Sequence, residues 1–149
     1  WLAIGDVGQD RFEEIDMESA DTLRGANFGW DRFEGFKKVK SGGTSEKPSK
    51  KKHSKPTLAY GHDAGASVIG GVVVRDPELT NLFGRYLFTD FYESRLRSFE
   101  PSLDKVKDYV ELDNDVDSIS SFSQDPATRE VYMTSHGDGA LYRLEPAAP

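Results

Sequence analysis

The chain has 149 residues, 36% hydrophobic and 30% charged, with 2 Trp, 6 Tyr and 9 Phe. That is material for one domain, and too aromatic for wholesale disorder. It has no cysteine, which excludes disulfides, thiolate zinc sites and cysteine nucleophiles, and no apolar run approaches the roughly 18 residues that mark a membrane-crossing helix. The net charge of −7 is unevenly spread: residues 37 to 55 hold eight Lys against Glu46 alone, and the remainder is strongly acidic. An acidic body disfavours a dedicated nucleic-acid-binding domain.

Along the chain, strand signals dominate. Trp1-Leu2-Ala3-Ile4-Gly5 reads as the inside of a strand and carries no initiator Met or signal peptide, so an upstream part of a larger protein is expected. Phe12 to Met17 is a short strand. Residues 18 to 36 read as an ordered, aromatic-rich loop in which Gly25-Ala26-Asn27-Phe28-Gly29-Trp30 mixes turn formers with bulky rings. Residues 37 to 56 have the composition of a Lys-rich flexible insertion. Strands are then predicted at 67–75, 86–90, 95–99 and 106–112, and again at 118–123, 130–134 and 140–144. Asp76-Pro77, Asp125-Pro126 and Gly137-Asp138-Gly139 mark turns between them.

Short strands at about 10-residue spacing indicate an all-β sandwich, barrel or propeller. The grouping is four strands, then three: one full propeller blade and one a strand short. With the N-terminal strands the chain has material for about three blades, and a propeller needs at least about four. It is therefore expected to be part of a ring whose remainder lies elsewhere.

Several residues invite chemistry. The acidic, Gly- and Asn-rich stretch from Gly8 to Glu34 suits a hard cation, which takes six to eight oxygens from carboxylates and turned carbonyls. The alternative is that Glu13 and Glu14 are solvated strand residues. His62 beside Asp63 can accept a proton or orient a hydroxyl; it can equally be a turn residue capping the next strand. His53, among lysines, reads as solvated, and His136 as a loop residue. Arg95 and Arg97 share a strand face at period two, where acidic neighbours can pair with them. The lysine run suits an anionic partner or, without stacking aromatics inside it, a solvated insertion. No Walker loop, GxGxxG, HExxH or GxSxG motif is present.

Gly5-Asp6-Val7-Gly8-Gln9-Asp10-Arg11-Phe12-Glu13-Glu14-Ile15-Asp16, followed by Arg24-Gly25-Ala26-Asn27-Phe28-Gly29-Trp30 and Glu34-Gly35-Phe36, resembles the soluble glucose/sorbosone dehydrogenase family. So do Tyr60-Gly61-His62 with Ser67-Val68-Ile69-Gly70-Gly71, and Gly84-Arg85-Tyr86-Leu87-Phe88-Thr89-Asp90-Phe91 with Arg95-Leu96. That family includes pyrroloquinoline-quinone-dependent aldose sugar dehydrogenases and the Hedgehog-interacting-protein-like propellers. The resemblance implies a six-bladed β-propeller of which residues 1–149 form the C-terminal portion, paired with an N-terminal half of the same ring. It implies a secreted or periplasmic protein that oxidises a sugar to a lactone, or a non-catalytic, calcium-stabilised propeller that binds a protein or glycan. A self-standing β-sandwich also fits the strand count.

Residue by residue, the resemblance implies that Gly8 and Gln9 offer carbonyls to a calcium bridging protein and quinone, with Gln9 where proline is common. It implies a second, structural calcium held by the Glu14 carboxylate and by backbone oxygens of Phe28 and Glu34. His62, Asp63 and Arg95 fall on the cofactor side. The family's general base lies in the N-terminal half, so no catalytic residue is expected here. The match is imperfect where the quinone's carboxylates need cations: no lysine stands near Glu93-Ser94, and a pair of arginines is replaced by Ser118 and Ser120.

Overall fold

The computed structural model describes residues 1–39 and 52–147. Its strands in chain order are β1 (Leu2–Asp6), β2 (Phe12–Glu18), β3 (Phe33–Glu34), β4 (Lys37–Lys38), β5 (Leu58–Gly61) and β6 (Val68–Val73). They continue with β7 (Tyr86–Asp90), β8 (Leu96–Glu100), β9 (Lys107–Leu112), β10 (Ile119–Gln124), β11 (Val131–Ser135) and β12 (Ala140–Arg143). One helical turn, α1 (Ala20–Leu23), follows β2, capped by Ser19, whose side chain accepts from Thr22 N.

The strands form a three-stranded sheet β1-β2-β5, a hairpin β3-β4, a four-stranded sheet β6-β7-β8-β9 and a three-stranded sheet β10-β11-β12. The protein is thus all-β, built of small antiparallel sheets that follow one another along the chain, as blades do in part of a propeller. The four-plus-three grouping expected from the sequence is present. Two details differ. Leu58-Ala59-Tyr60-Gly61 was not expected to be a strand, yet it pairs with β2, placing Leu58 opposite Ile15 and Gly61 opposite Phe12. Lys37 and Lys38, assigned to the flexible insertion, pair with Glu34 and Phe33; the part of that insertion from 40 to 51 lies outside the described residues. Among the described residues no helix is long and apolar enough to cross a membrane.

The four-stranded sheet is packed on both faces. Toward the first sheet it presents Val68, Tyr86, Phe88 and Phe99, which meet Ile15 and Met17. Toward the third it presents Val74, Leu87 and Leu96, which meet Ile119, Val131 and Met133. This explains why β7 is buried at every position and reads as an unbroken run instead of alternating with polar residues. Tyr86, Phe88 and Phe99 pack as a ring trio with centroids 5.5 to 6.0 Å apart, in tilted or offset arrangements that aromatic quadrupoles favour.

Within the four-stranded sheet β6 runs close against β7. A Cβ on Gly71 would stand 1.6 Å from the Leu87 carbonyl oxygen, so only glycine fits there. The register of β6 on β7 shifts between Ile69 and Val72, and this bulge lets Gly71 N donate to the Tyr86 hydroxyl at 2.9 Å.

Candidate functional site

Strand β2 sends alternate side chains to opposite faces. Glu13 therefore shares the inner face with Ile15 and Met17, and it is fully buried where the first and second sheets meet. Its Oε2 accepts from Val68 N at 2.8 Å, and its Oε1 accepts from Gly8 N at 3.3 Å. His62 Nε2 lies 2.8 Å from the same Oε1. Burial pushes the Glu13 carboxyl above its ordinary value, with the Val68 N–H and His62 pulling it back. Far from being solvated, Glu13 ties three separate segments together.

The turn from Gly8 to Phe12 is organised by a second carboxylate. Glu34 Oε1 accepts from the backbone N–H groups of Asp10, Arg11 and Phe12 at 2.8, 2.7 and 3.2 Å. A Cβ on Gly8 would come within 1.8 Å of Phe12 O and 2.7 Å of Glu34 Oε1, so glycine is required for the turn to close on this carboxylate. The turn therefore aims three backbone N–H donors at the Glu34 carboxylate. Burial pushes Glu34 up, but the three N–H donors, assisted by His62, outweigh it and leave its carboxyl below the ordinary range.

A depressed folded value means that the stability Glu34 contributes is present above the ordinary glutamate pKa and is lost as pH falls through the folded value. Glu34→Gln is thus expected to make the urea midpoint less sensitive to acid than that of wild type below the ordinary glutamate range, whereas the buried Glu14 and Asp16, pushed up to about 7, act in the opposite sense in both proteins. An unchanged acid dependence in the variant would show that Glu34 is not held as its hydrogen bonds indicate.

A third polar group lies deeper between the first two sheets. Asp90, fully buried, accepts from Tyr60 OH at 2.9 Å, Ser67 N at 3.0 Å and Tyr92 N at 3.0 Å. Burial, and then the charge of Asp90, drive the Tyr60 phenol well above its ordinary value. The Arg97 guanidinium lies 4.6 Å over the Tyr60 ring and bonds Glu93 Oε2 at 2.7 Å. Arg95 is exposed and bonds Glu111 Oε2 at 2.8 Å; Glu111 is also 3.9 Å from Arg97 Nε.

On the opposite face of the first sheet, β1 and β2 pair so that Asp6 stands across from Glu14 and Ile4 across from Asp16. The β3-β4 hairpin covers this face. Gly35 N donates a short hydrogen bond to Glu14 Oε1, and Gly35 packs on the Phe12 ring. Burial first, and then repulsion from Asp6, Glu34 and Glu13, push Glu14 up to about 7 despite the Gly35 N–H. Burial and the charges of Glu14, Asp6 and Glu18 push Asp16 up to about 7 as well.

Several residues singled out in the sequence meet here. Gly8, Glu34 and His62 gather around Glu13, and Glu14 lies close enough to feel the Glu34 charge. Gln9 and Asp63 are exposed, the Asp63 carboxylate folding back over Gly61. Phe28 is half-buried in the stretch between α1 and β3. His53 is not solvated as read; it stacks on Phe33 with ring centroids 3.8 Å apart. Glu13, Asp16, Tyr60 and Asp90 were not singled out as site residues. Period-two alternation across Glu13-Glu14 was the available signal that one of the two acids faces the sheet interior.

Two implied groups can be tested against these residues. A tricarboxylate quinone needs cations to receive its carboxylates; Arg95 and Arg97 stand paired with Glu111 and Glu93. For a calcium ion, no group of three or more His, Cys, Asp or Glu that could hold a metal is found among the described residues.

The chain is similar to the HIPL1 protein of Arabidopsis thaliana, with 32% identity over 101 residues covering 62% of this chain and 14% of that protein. It is also similar to the HIPL2 protein of the same plant, with 31% identity over 105 residues, 64% of this chain and 14% of that protein. The chain thus spans a small fraction of the curated relatives it matches. No family model and no solved structure matches it.

Proposed function

We propose that this chain is a section of a β-propeller that binds a protein or glycan partner outside the cytoplasm and does not oxidise sugars. The observation that carries the reading is the commitment of its arginines. Arg97 is buried between Glu93 and the Tyr60 ring, and Arg95 is paired with Glu111. An anionic cofactor leaving water must find charges able to neutralise it, and these two already face carboxylates of the protein, Arg97 in the interior and Arg95 at the surface. The similarity to the two HIPL proteins supports the Hedgehog-interacting-protein-like side of the family resemblance. In this reading the polar groups between the first and second sheets are structural, and calcium has a structural role.

His62 favours the other reading. Its side chain is 25% exposed and is held by the buried Glu13, as a proton acceptor of a sugar hydroxyl would be. One assay separates the two. The chain, and the longer parent protein, are each given the quinone, calcium, glucose and a dye acceptor, and quinone binding is titrated by fluorescence. Neither is expected to reduce dye above background or to bind quinone saturably. Sustained sugar-dependent turnover by the parent, lost in His62→Ala, would establish the dehydrogenase instead.

A further inference from the structure

At the end of the sheets away from His62, Leu2 pairs with Glu18 and Val73 with Tyr86. There a cavity of about 510 Å³ opens between the first and second sheets. That volume falls within the roughly 300–1,000 Å³ of sites for small organic ligands. Its walls include Trp1, Met17, Val73 and Pro101, and Arg75 is the only charged side chain among its described lining residues. Trp1 is 68% exposed, so a large apolar ring stands in water beside a recess, the kind of surface that marks a binding site.

Arg75 follows β6 and is exposed. Its guanidinium carbon lies 5.9 Å from the centre of the Phe83 ring, and no ion pair among the described residues includes it. Arg85, on the same hairpin, is the contrast, because it bonds Ser98 and Asp108. Gly84 forms part of the cavity wall and keeps it bare. A Cβ added there would meet one atom within 4 Å, Arg75 Nη1 at 3.8 Å. The guanidinium therefore borders open space on the glycine side of the cavity.

We infer that this cavity binds a small organic monoacid, its apolar body lying against Trp1, Met17, Val73 and Pro101 and its carboxylate on Arg75. A guanidinium presents paired N–H donors that match a carboxylate, and a single cation suits a single anionic head. The Trp1 ring and the Met17 sulfur favour a body that carries a ring. A peptide would bring a series of amides to walls whose polar side-chain groups are Arg75 and the Trp1 indole N–H, so the free small acid is the better match. The site lies at the opposite end of the sheets from His62 and Arg95, so it is independent of the proposed binding function and of the dehydrogenase alternative.

The chain is titrated with phenylbutyrate by calorimetry and melted at increasing concentrations of it. Phenylbutanol serves as the same body without the charge. Wild type is expected to bind the acid saturably at one site, with a melting temperature that climbs with its concentration, and to bind the alcohol at least about tenfold more weakly. Arg75→Gln, at an exposed position, should melt like wild type without ligand, lose at least about tenfold in affinity for the acid and bind the alcohol as wild type does. Arg129→Gln, at an exposed arginine in the β10–β11 turn, should bind the acid like wild type. The inference is overturned if wild type shows no saturable binding, or if Arg75→Gln keeps its affinity for the acid. An equal loss in Arg129→Gln also overturns it, because the acid is then drawn to exposed arginines in general. A short peptide ending in phenylalanine with a free carboxylate is the last arm. Binding at least about tenfold tighter than phenylbutyrate would assign the cavity to the chain end of a protein partner and overturn the small acid as its ligand.

Discussion

Glu13→Ala is expected to cost about 3–5 kcal/mol of unfolding free energy, the range seen when one partner of a buried polar or charged pair is removed. Glu13 is the acceptor for the Val68 and Gly8 N–H groups and lies against His62. Truncation leaves buried donors without a partner and opens space between two sheets, and the stability of a domain this size is itself only of order 5–15 kcal/mol. Glu13→Gln keeps one acceptor oxygen and sheds a charge that burial disfavours, so its loss should be about 1 kcal/mol. Urea unfolding reads both: the midpoint should fall sharply for Ala and slightly for Gln, at an unchanged slope. An alanine variant within about 0.5 kcal/mol of wild type would mean that Glu13 does not join the sheets.

A comparable loss, about 3–5 kcal/mol, is expected for Phe88→Ala. Phe88 is fully buried, stands within 6.0 Å of the Tyr86 ring and 5.9 Å of the Phe99 ring, and lies in the cluster that joins the first sheet to the second. Removing the ring deletes its transfer free energy and leaves a cavity that the rigid β7 strand, packed on both faces, is poorly placed to collapse. Phe83 supplies the comparison. It is 52% exposed, and its main described ring contact is Arg75 at 5.9 Å, so Phe83→Ala should cost under about 1 kcal/mol. Equal losses at the two positions would show that the first and second sheets are not joined through the aromatic trio.

The dehydrogenase reading and the binding reading differ in what they ask of the same few residues. Oxidation needs cations free to receive the cofactor and a base free to move a proton. Binding needs a rigid scaffold. The hydrogen bonds of Glu13, Glu34 and Asp90 each join segments far apart in sequence, Glu13 to Val68 across 55 positions and Glu34 to Arg11 across 23. They serve rigidity, and that is why the binding reading is preferred.

The elements were largely legible from the chain alone. Tyr86 to Asp90 was delimited to the residue, and the four-plus-three grouping followed from β-branched and aromatic runs broken by Asp-Pro and Gly-Asp-Gly turns, because strand propensity and turn chemistry are local. Leu58 to Gly61 was missed for the same reason. Leu-Ala-Tyr-Gly has little intrinsic strand preference, and it is a strand because β2, more than forty positions earlier, supplies its hydrogen bonds. The site divides the same way. Gly8, Glu14, Glu34 and His62 were recognisable as residues of interest from their motifs. Alternation alone separates Glu13 from Glu14, but it does not say which face meets a second sheet and which is closed over by a hairpin. Only tertiary packing decided that Glu13 would be buried among N–H donors, that Glu34 would gather the Gly8 turn with its side chain, and that Asp16 would be enclosed with other acids. The strength of a carboxylate's interactions depends on the water removed and the dipoles brought to it, and both come from segments distant in the sequence.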